Sequence, residues 1–110
     1  MATDPQTALS AALDRMWTQF LPQMQERAGL LEAAARSFAA GPLPVEQHQA
    51  AQSAAHKLAG VLGTFGLTRG TVLAREFEIV FSRPNEPEPA LAEHLSAMAA
   101  EIRTIIESRQ

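Results

Sequence analysis

His56 carries the strongest chemical signal in this 110-residue chain. It lies in the run Ser53-Ala54-Ala55-His56-Lys57-Leu58-Ala59-Gly60-Val61-Leu62-Gly63-Thr64-Phe65-Gly66-Leu67. Wound as a helix at about 100° per residue, Ala51, Ala55, Leu58, Leu62 and Phe65 fall on one side. Gln49, Gln52, His56, Gly60 and Gly63 fall on another, roughly 140° away. The first face is core, so the second faces solvent. A helix-interior glycine costs about 0.5–1 kcal/mol relative to alanine, and two on one exposed face need a reason. Clearance around the imidazole is such a reason. An exposed neutral imidazole is a good nucleophile near neutral pH. Phosphoryl transfer needs in-line approach of donor and acceptor, and open space serves that better than an elaborate pocket.

Each of these residues also has a plainer explanation. His56 alone could be an ordinary surface histidine. Gly60 and Gly63 could mark close helix packing, and Lys57, Gln49 and Gln52 could be solvated polar groups. His48 and His94 lack ligand partners at i+3 or i+4 and read as surface or boundary residues. Trp17 reads as core or helix-junction packing. Arg69 and Arg75, near the start of a later helix, could meet an acidic partner surface or simply be solvated.

The elements that position His56 follow from periodicity and breakers. A first helix is expected from Asp4 to Phe20, with Asp4 capping it and Pro5 at its first turn. Leu9, Leu13, Met16 and Phe20 form its stripe. Pro22 bends the chain or starts a second helix, which ends near Ala40 before Gly41. Met24, Ala28, Leu31, Ala35 and Phe38 are its inward residues. Gly41-Pro42-Leu43-Pro44 is a connection. The third helix spans 45–65, with Gly66 as its cap. A fourth, capped by Thr68, runs to Phe81 or Ser82 and turns Leu73, Phe77 and Val80 inward. Pro84, Pro87 and Pro89 forbid helix in the next connection. The last helix, from Ala90 to Glu107, places Leu91, Leu95, Met98, Ile102 and Ile105 in a bundle seam. The fold class is therefore all-α: an antiparallel up-down-up-down four-helix bundle with an extra N-terminal helix. It is read as one domain over 1–110.

Composition agrees. Hydrophobic residues make up 46% and aromatics 5%, which suits an alanine-rich helical core and argues against a sheet. Net charge is −3, with Lys57 the one lysine among eight arginines and no basic stripe for nucleic acid. Cysteine is absent, excluding disulfides and thiolate chemistry. No signal peptide or membrane span is visible, no P-loop or other nucleotide motif occurs, and no acidic cluster suggests a metal. A cytoplasmic monomer without cofactor, beginning at its natural Met1, is expected.

The motif resembles that of the histidine phosphotransfer (HPt) family. That family carries His, an apolar residue at +2, Gly at +4, and an apolar-Gly pair at +9 and +10. His56, Leu58, Gly60, Phe65 and Gly66 match all five, and a subset of the family is written HKLAG. The family often has Lys at +3 and a small polar residue at +5; here Ala59 and Val61 stand there, and the lysine is Lys57 at +1. The resemblance implies a phosphocarrier in a multistep phosphorelay. His56 would take a phosphoryl group from a receiver phosphoaspartate or a histidine kinase domain, then pass it to a receiver domain of a response regulator. That partner would bring Mg²⁺ and the acidic pocket. Gly60, Gly63, Lys57 and Gln52 would be the supporting residues, with Val61 and Leu67 on the docking face. The alternatives are an HPt-like docking module that carries no phosphate, and a structural helical bundle. A self-contained enzyme fits worst, since no second acid, base or metal set accompanies His56.

Overall fold

A computed structural model describes residues 4–83 and 88–109 of the chain. They form four helices: α1 (Pro5–Ala40), α2 (Val45–Thr64), α3 (Thr68–Val80) and α4 (Pro89–Ser108). The expected prolines 84 and 87 of the last connection lie outside the described residues.

Side-chain pairs fix the directions. Gln47 donates to Ser37 at 3.0 Å, whereas Phe65, at the other end of α2, stacks edge-on against Trp17 at 5.0 Å. Helices α1 and α2 are therefore antiparallel. His56–Glu78 and Gly63–Thr71 set α3 antiparallel to α2, and Arg69–Glu101 and Glu76–His94 set α4 antiparallel to α3. Arg103–Glu32 and Arg109–Asp14 close the ring between α4 and α1. Each helix packs along its length on two neighbours around the ring. The result is the up-down-up-down bundle.

The N-terminal expectation needs correction. The two segments divided at Pro22 are one 36-residue helix with Pro22 inside it. Proline removes one backbone hydrogen bond and normally kinks a helix. Here Pro22 is exposed, as is Thr18, whose carbonyl loses its partner, so water can reach that carbonyl. Trp17 before it and Met24 after it are both buried, and this burial holds the two halves in line. At 1.5 Å per residue α1 is about 54 Å long, which accounts for most of the 60 Å long axis. Its N-terminal turns run past the bundle. Leu9 is consequently 62% exposed and Met16 39% exposed, although the spacing predicted them inside.

The rest of the core follows the stripes. Met24, Ala28, Leu31, Ala35 and Phe38 are all buried, as are Leu73 and Phe77. In α4 the buried set is Ala92, Leu95, Met98, Ala99, Ile102 and Ile106. Leu91 and Ile105, expected inside, are half-buried, and Val80 in α3 is as well. Each fully buried Leu, Ile or Phe contributes roughly 1.5–3 kcal/mol of burial energy. Thr68 does not cap α3: it is the first helical residue, and no side chain caps that end. Gly70, which drew no attention in the sequence, is buried where α3 faces Leu62 of α2 and Ile105 of α4. A Cβ there would meet Leu62 at 3.0 Å and Ile105 at 3.3 Å.

Candidate functional site

Helix α2 presents two different faces. Ala51, Ala54, Ala55, Leu58, Ala59 and Leu62 are buried, and alanines on this face let α1 and α3 approach closely. The helix ends in a left-handed turn at Gly66, with φ +71°. The Gly66 amide donates to the Gly63 carbonyl at 3.1 Å and the Leu67 amide to the Leu62 carbonyl at 2.9 Å. This pair of bonds is the Schellman arrangement, which favours glycine at that position. Phe65 packs edge-on to Trp17 and to Phe20, and the Arg109 guanidinium lies 5.0 Å over Trp17 and 5.2 Å over Phe65. Leu58, Phe65 and Gly66 of the motif thus hold α2 in place and set the turn into α3.

His56 stands on the opposite face, its side chain 76% exposed. Its Nδ1 is 2.6 Å from Oε2 of Glu78, a half-buried carboxylate on α3. A carboxylate only accepts, so Nδ1 carries the proton and donates it. In the neutral ring this arrangement leaves Nε2 with its lone pair. Two grooves flank the ring. One, between α1 and α2, is lined by Met16, Phe20, Arg27, Lys57, Gly60 and Phe65. The other, between α2 and α3, is lined by Ala59, Gly60, Arg75, Glu78 and Ile79. His56 belongs to both.

The remaining predicted residues divide. At Gly60 a Cβ would meet nothing within 4 Å, so this glycine leaves open floor beside the imidazole. At Gly63 a Cβ would sit 3.5 Å from the Thr71 hydroxyl of α3, an ordinary packing distance. Lys57 and Val61 line the α1–α2 groove. Gln52 lies elsewhere, in a third groove with His48 and Phe81, which contains neither His56 nor Gly60. Leu67 is half-buried in the turn. Ala59, at the +3 position, is buried beneath Thr71, whose hydroxyl donates to its carbonyl at 3.4 Å.

Glu78 and Arg27 were not singled out by the sequence. One signal points to Glu78. In a helical hairpin turning at Gly66, residues at similar distances from the turn face each other, and His56 precedes Gly66 by about as much as Glu78 follows it. For Arg27 no local signal exists, because the register of α1 against α2 comes from packing along the whole seam. Among the described residues no group of three His, Asp or Glu side chains could hold a metal ion, and no helix is long and apolar enough to cross a membrane.

Comparison with known proteins decides the family. The Hpt domain family matches residues 15–105. The chain belongs to that family. A curated relative, Protein RcaC of Microchaete diplosiphon, is 40% identical over 76 residues. The match covers 69% of this chain but 12% of RcaC, so the chain spans a small part of that relative's length. No solved structure matches. As an Hpt domain the chain is a histidine phosphotransfer module of two-component signalling. The part of α1 before Arg15 lies outside the family match.

Proposed function

We propose that His56 is the phosphoacceptor of this Hpt domain. It takes a phosphoryl group from a receiver phosphoaspartate, or from a kinase domain, and hands it to a receiver aspartate. One observation carries this reading: an exposed imidazole with Nδ1 engaged by Glu78 and Nε2 unengaged, above the open floor at Gly60.

The chemistry balances. The Nε2 lone pair attacks phosphorus in line, the Nε2–P bond forms, and the acyl-phosphate O–P bond breaks to release the donor carboxylate. The ring keeps its Nδ1 proton and becomes a phosphoimidazolium. Glu78 accepts that N–H and stabilises the new positive charge. In the onward step the receiver carboxylate attacks phosphorus and the neutral imidazole leaves. Glu78 is thus a positioning residue, fixing tautomer and ring orientation. The chain supplies a nucleophile and a docking rim, including Met16, Phe20 and Phe65, and no ATP or metal site of its own. It acts in the cytoplasm as a monomer, with receiver and kinase domains as its partners.

The test is transfer from a labelled, phosphorylated receiver to the purified chain. Wild type gains acid-labile, base-stable label; His56→Gln gains none while keeping its helical spectrum. Glu78→Gln retains label but slows transfer by roughly ten- to a hundred-fold, the range expected for lost orientation of a reacting group. Label on His56→Gln would refute the assignment. A docking module that never carries phosphate is favoured by the buried Ala59 at +3, where the family often has a lysine. It predicts receiver binding with no label on wild type.

A further inference from the structure

Arginine pairing is uneven over the surface. Arg69, Arg103 and Arg109 each meet a carboxylate within 3.4 Å, all three on seams made with α4 or the chain end beyond it. Among the described residues Arg27 and Lys57 meet no carboxylate, as is also true of Arg15, Arg36 and Arg75, but these two share one groove with His56. Both line the α1–α2 groove beside His56, and among the described residues neither makes an ion pair or hydrogen bond. Arg27 is half-buried in that groove wall. Removing a guanidinium from water without giving it a partner is unfavourable. The arrangement is favourable once an anion enters the groove.

The carboxylates nearby do not fill this role. Glu26 lines the adjoining stretch of groove together with Arg27 and Lys57, but lies beyond ion-pair distance of both. Glu78 is held by His56 across the ring, on the α3 side. The anion that His56 chemistry would bring is a phosphoryl group with close to two negative charges and three acceptor oxygens. A guanidinium presents a planar fork that suits two of those oxygens, and an ammonium adds a point charge.

We propose that Arg27 of α1, with Lys57 of α2, forms the cationic cradle for the phosphoryl group on His56. The cradle supplies from a neighbouring helix the charge that Ala59, buried at +3, does not supply. This rests on His56 being the phosphoacceptor. It also predicts that the phosphoryl group bridges α1 and α2.

The test uses phosphoramidate, a small donor that needs no protein docking. Its N–P bond breaks, Nε2–P forms, and ammonia leaves. Phosphorus NMR follows both the rate and the pH midpoint at which the bound phosphoryl group titrates. Arg27→Gln should slow phosphorylation roughly ten-fold, as expected for a lost charge-assisted hydrogen bond, and raise that midpoint. Lys57→Gln should do the same more weakly, the double variant more strongly, and Arg27→Lys should recover part of the loss. Arg36→Gln, on α1 but lining neither groove beside His56, should match wild type. Wild-type rate and midpoint in both Arg27→Gln and Lys57→Gln, on a phosphorylated wild-type background, would overturn the cradle alone. So would normal reaction with phosphoramidate and reduced transfer only from a phosphorylated receiver, which would assign the cations to the protein partner. Wild type that takes no phosphoryl group would overturn the cradle and the carrier reading together.

Discussion

Around α4 the bundle pairs its charges, and around α2 it leaves them open. On the α4 side Arg103 holds Glu32 through Nη2 at 2.6 Å and Nε at 2.9 Å, Arg69 holds Glu101 at 2.7 Å, and Arg109 reaches Asp14 at 3.3 Å. On the α2 side His56 holds Glu78, while Arg27 and Lys57 face a groove. Apolar groups follow the same division. Met16 and Ile79, one in each groove beside His56, stay exposed. Unpaired charge and uncovered apolar area around an exposed histidine suit the partner surface proposed above. A surface with its charges matched is finished, and it keeps the helices in register.

The sharpest way to break this comparison is to remove what both sides stand on. Leu58 is fully buried two residues after His56, on the opposite face of α2. Leu58→Ala should destabilise the bundle by about 2–5 kcal/mol, the range for large-to-small changes in a close-packed core. His56→Gln, at an exposed position, should change stability by less than about 0.5 kcal/mol. Urea unfolding of the two variants checks this. Comparable losses would mean that His56 holds the fold together and that the open side is not open.

A finer cut separates two glycines of the same motif. Gly66 needs its left-handed φ of +71°, so Gly66→Ala should cost about 1–2 kcal/mol. Gly60 is helical, with open space where its Cβ would be, so Gly60→Ala should stabilise the fold by about 0.5–1 kcal/mol. It should also slow phosphoryl transfer to His56 by crowding the approach. Opposite signs in thermal unfolding, with transfer impaired in the stabilised variant, would sharpen the division. A stabilised Gly60→Ala with undiminished transfer would show that the clearance has no use.

The sequence made much of this legible because α2 is nearly a self-contained statement. Its alanines and leucines repeat on one face, its glycines on the other, and Gly66 ends it; each feature is local and survives into the fold. The N-terminal reading failed where the decision was tertiary. Pro22 is a strong local breaker, yet Trp17 and Met24 bury on either side of it and keep α1 whole. Leu9 carries a core-like spacing, but core was never available to it, because α1 outruns the other three helices. Glu78 and Arg27 were illegible for a related reason. Each reaches the His56 region through the register of a separate helix, and register is set by the sum of contacts along a seam.

The smallest expected effect concerns the finished side. Arg69 donates to Glu101 and holds its carboxyl below the ordinary value, chiefly through that hydrogen bond. The same bond raises Arg69, whose titration lies far above neutral pH. The sign follows from the carboxyl. Because Glu101 binds its proton less readily when folded, the pair adds stability above the ordinary carboxylate range, and that stability is lost as pH falls through the lowered value. Both side chains are well exposed, so solvent screening keeps the effect below that of either glycine. Thermal unfolding of wild type and Glu101→Gln across the acid range reads it directly. The gap between them should be widest near neutral pH and should close on acidification. Phosphorylation of His56 should be the same in both at every pH. If acid closes no gap, the α4 side is held by packing alone. If Glu101→Gln alters phosphorylation, the two sides of the bundle are coupled, and the division between a finished and a receptive surface gives way.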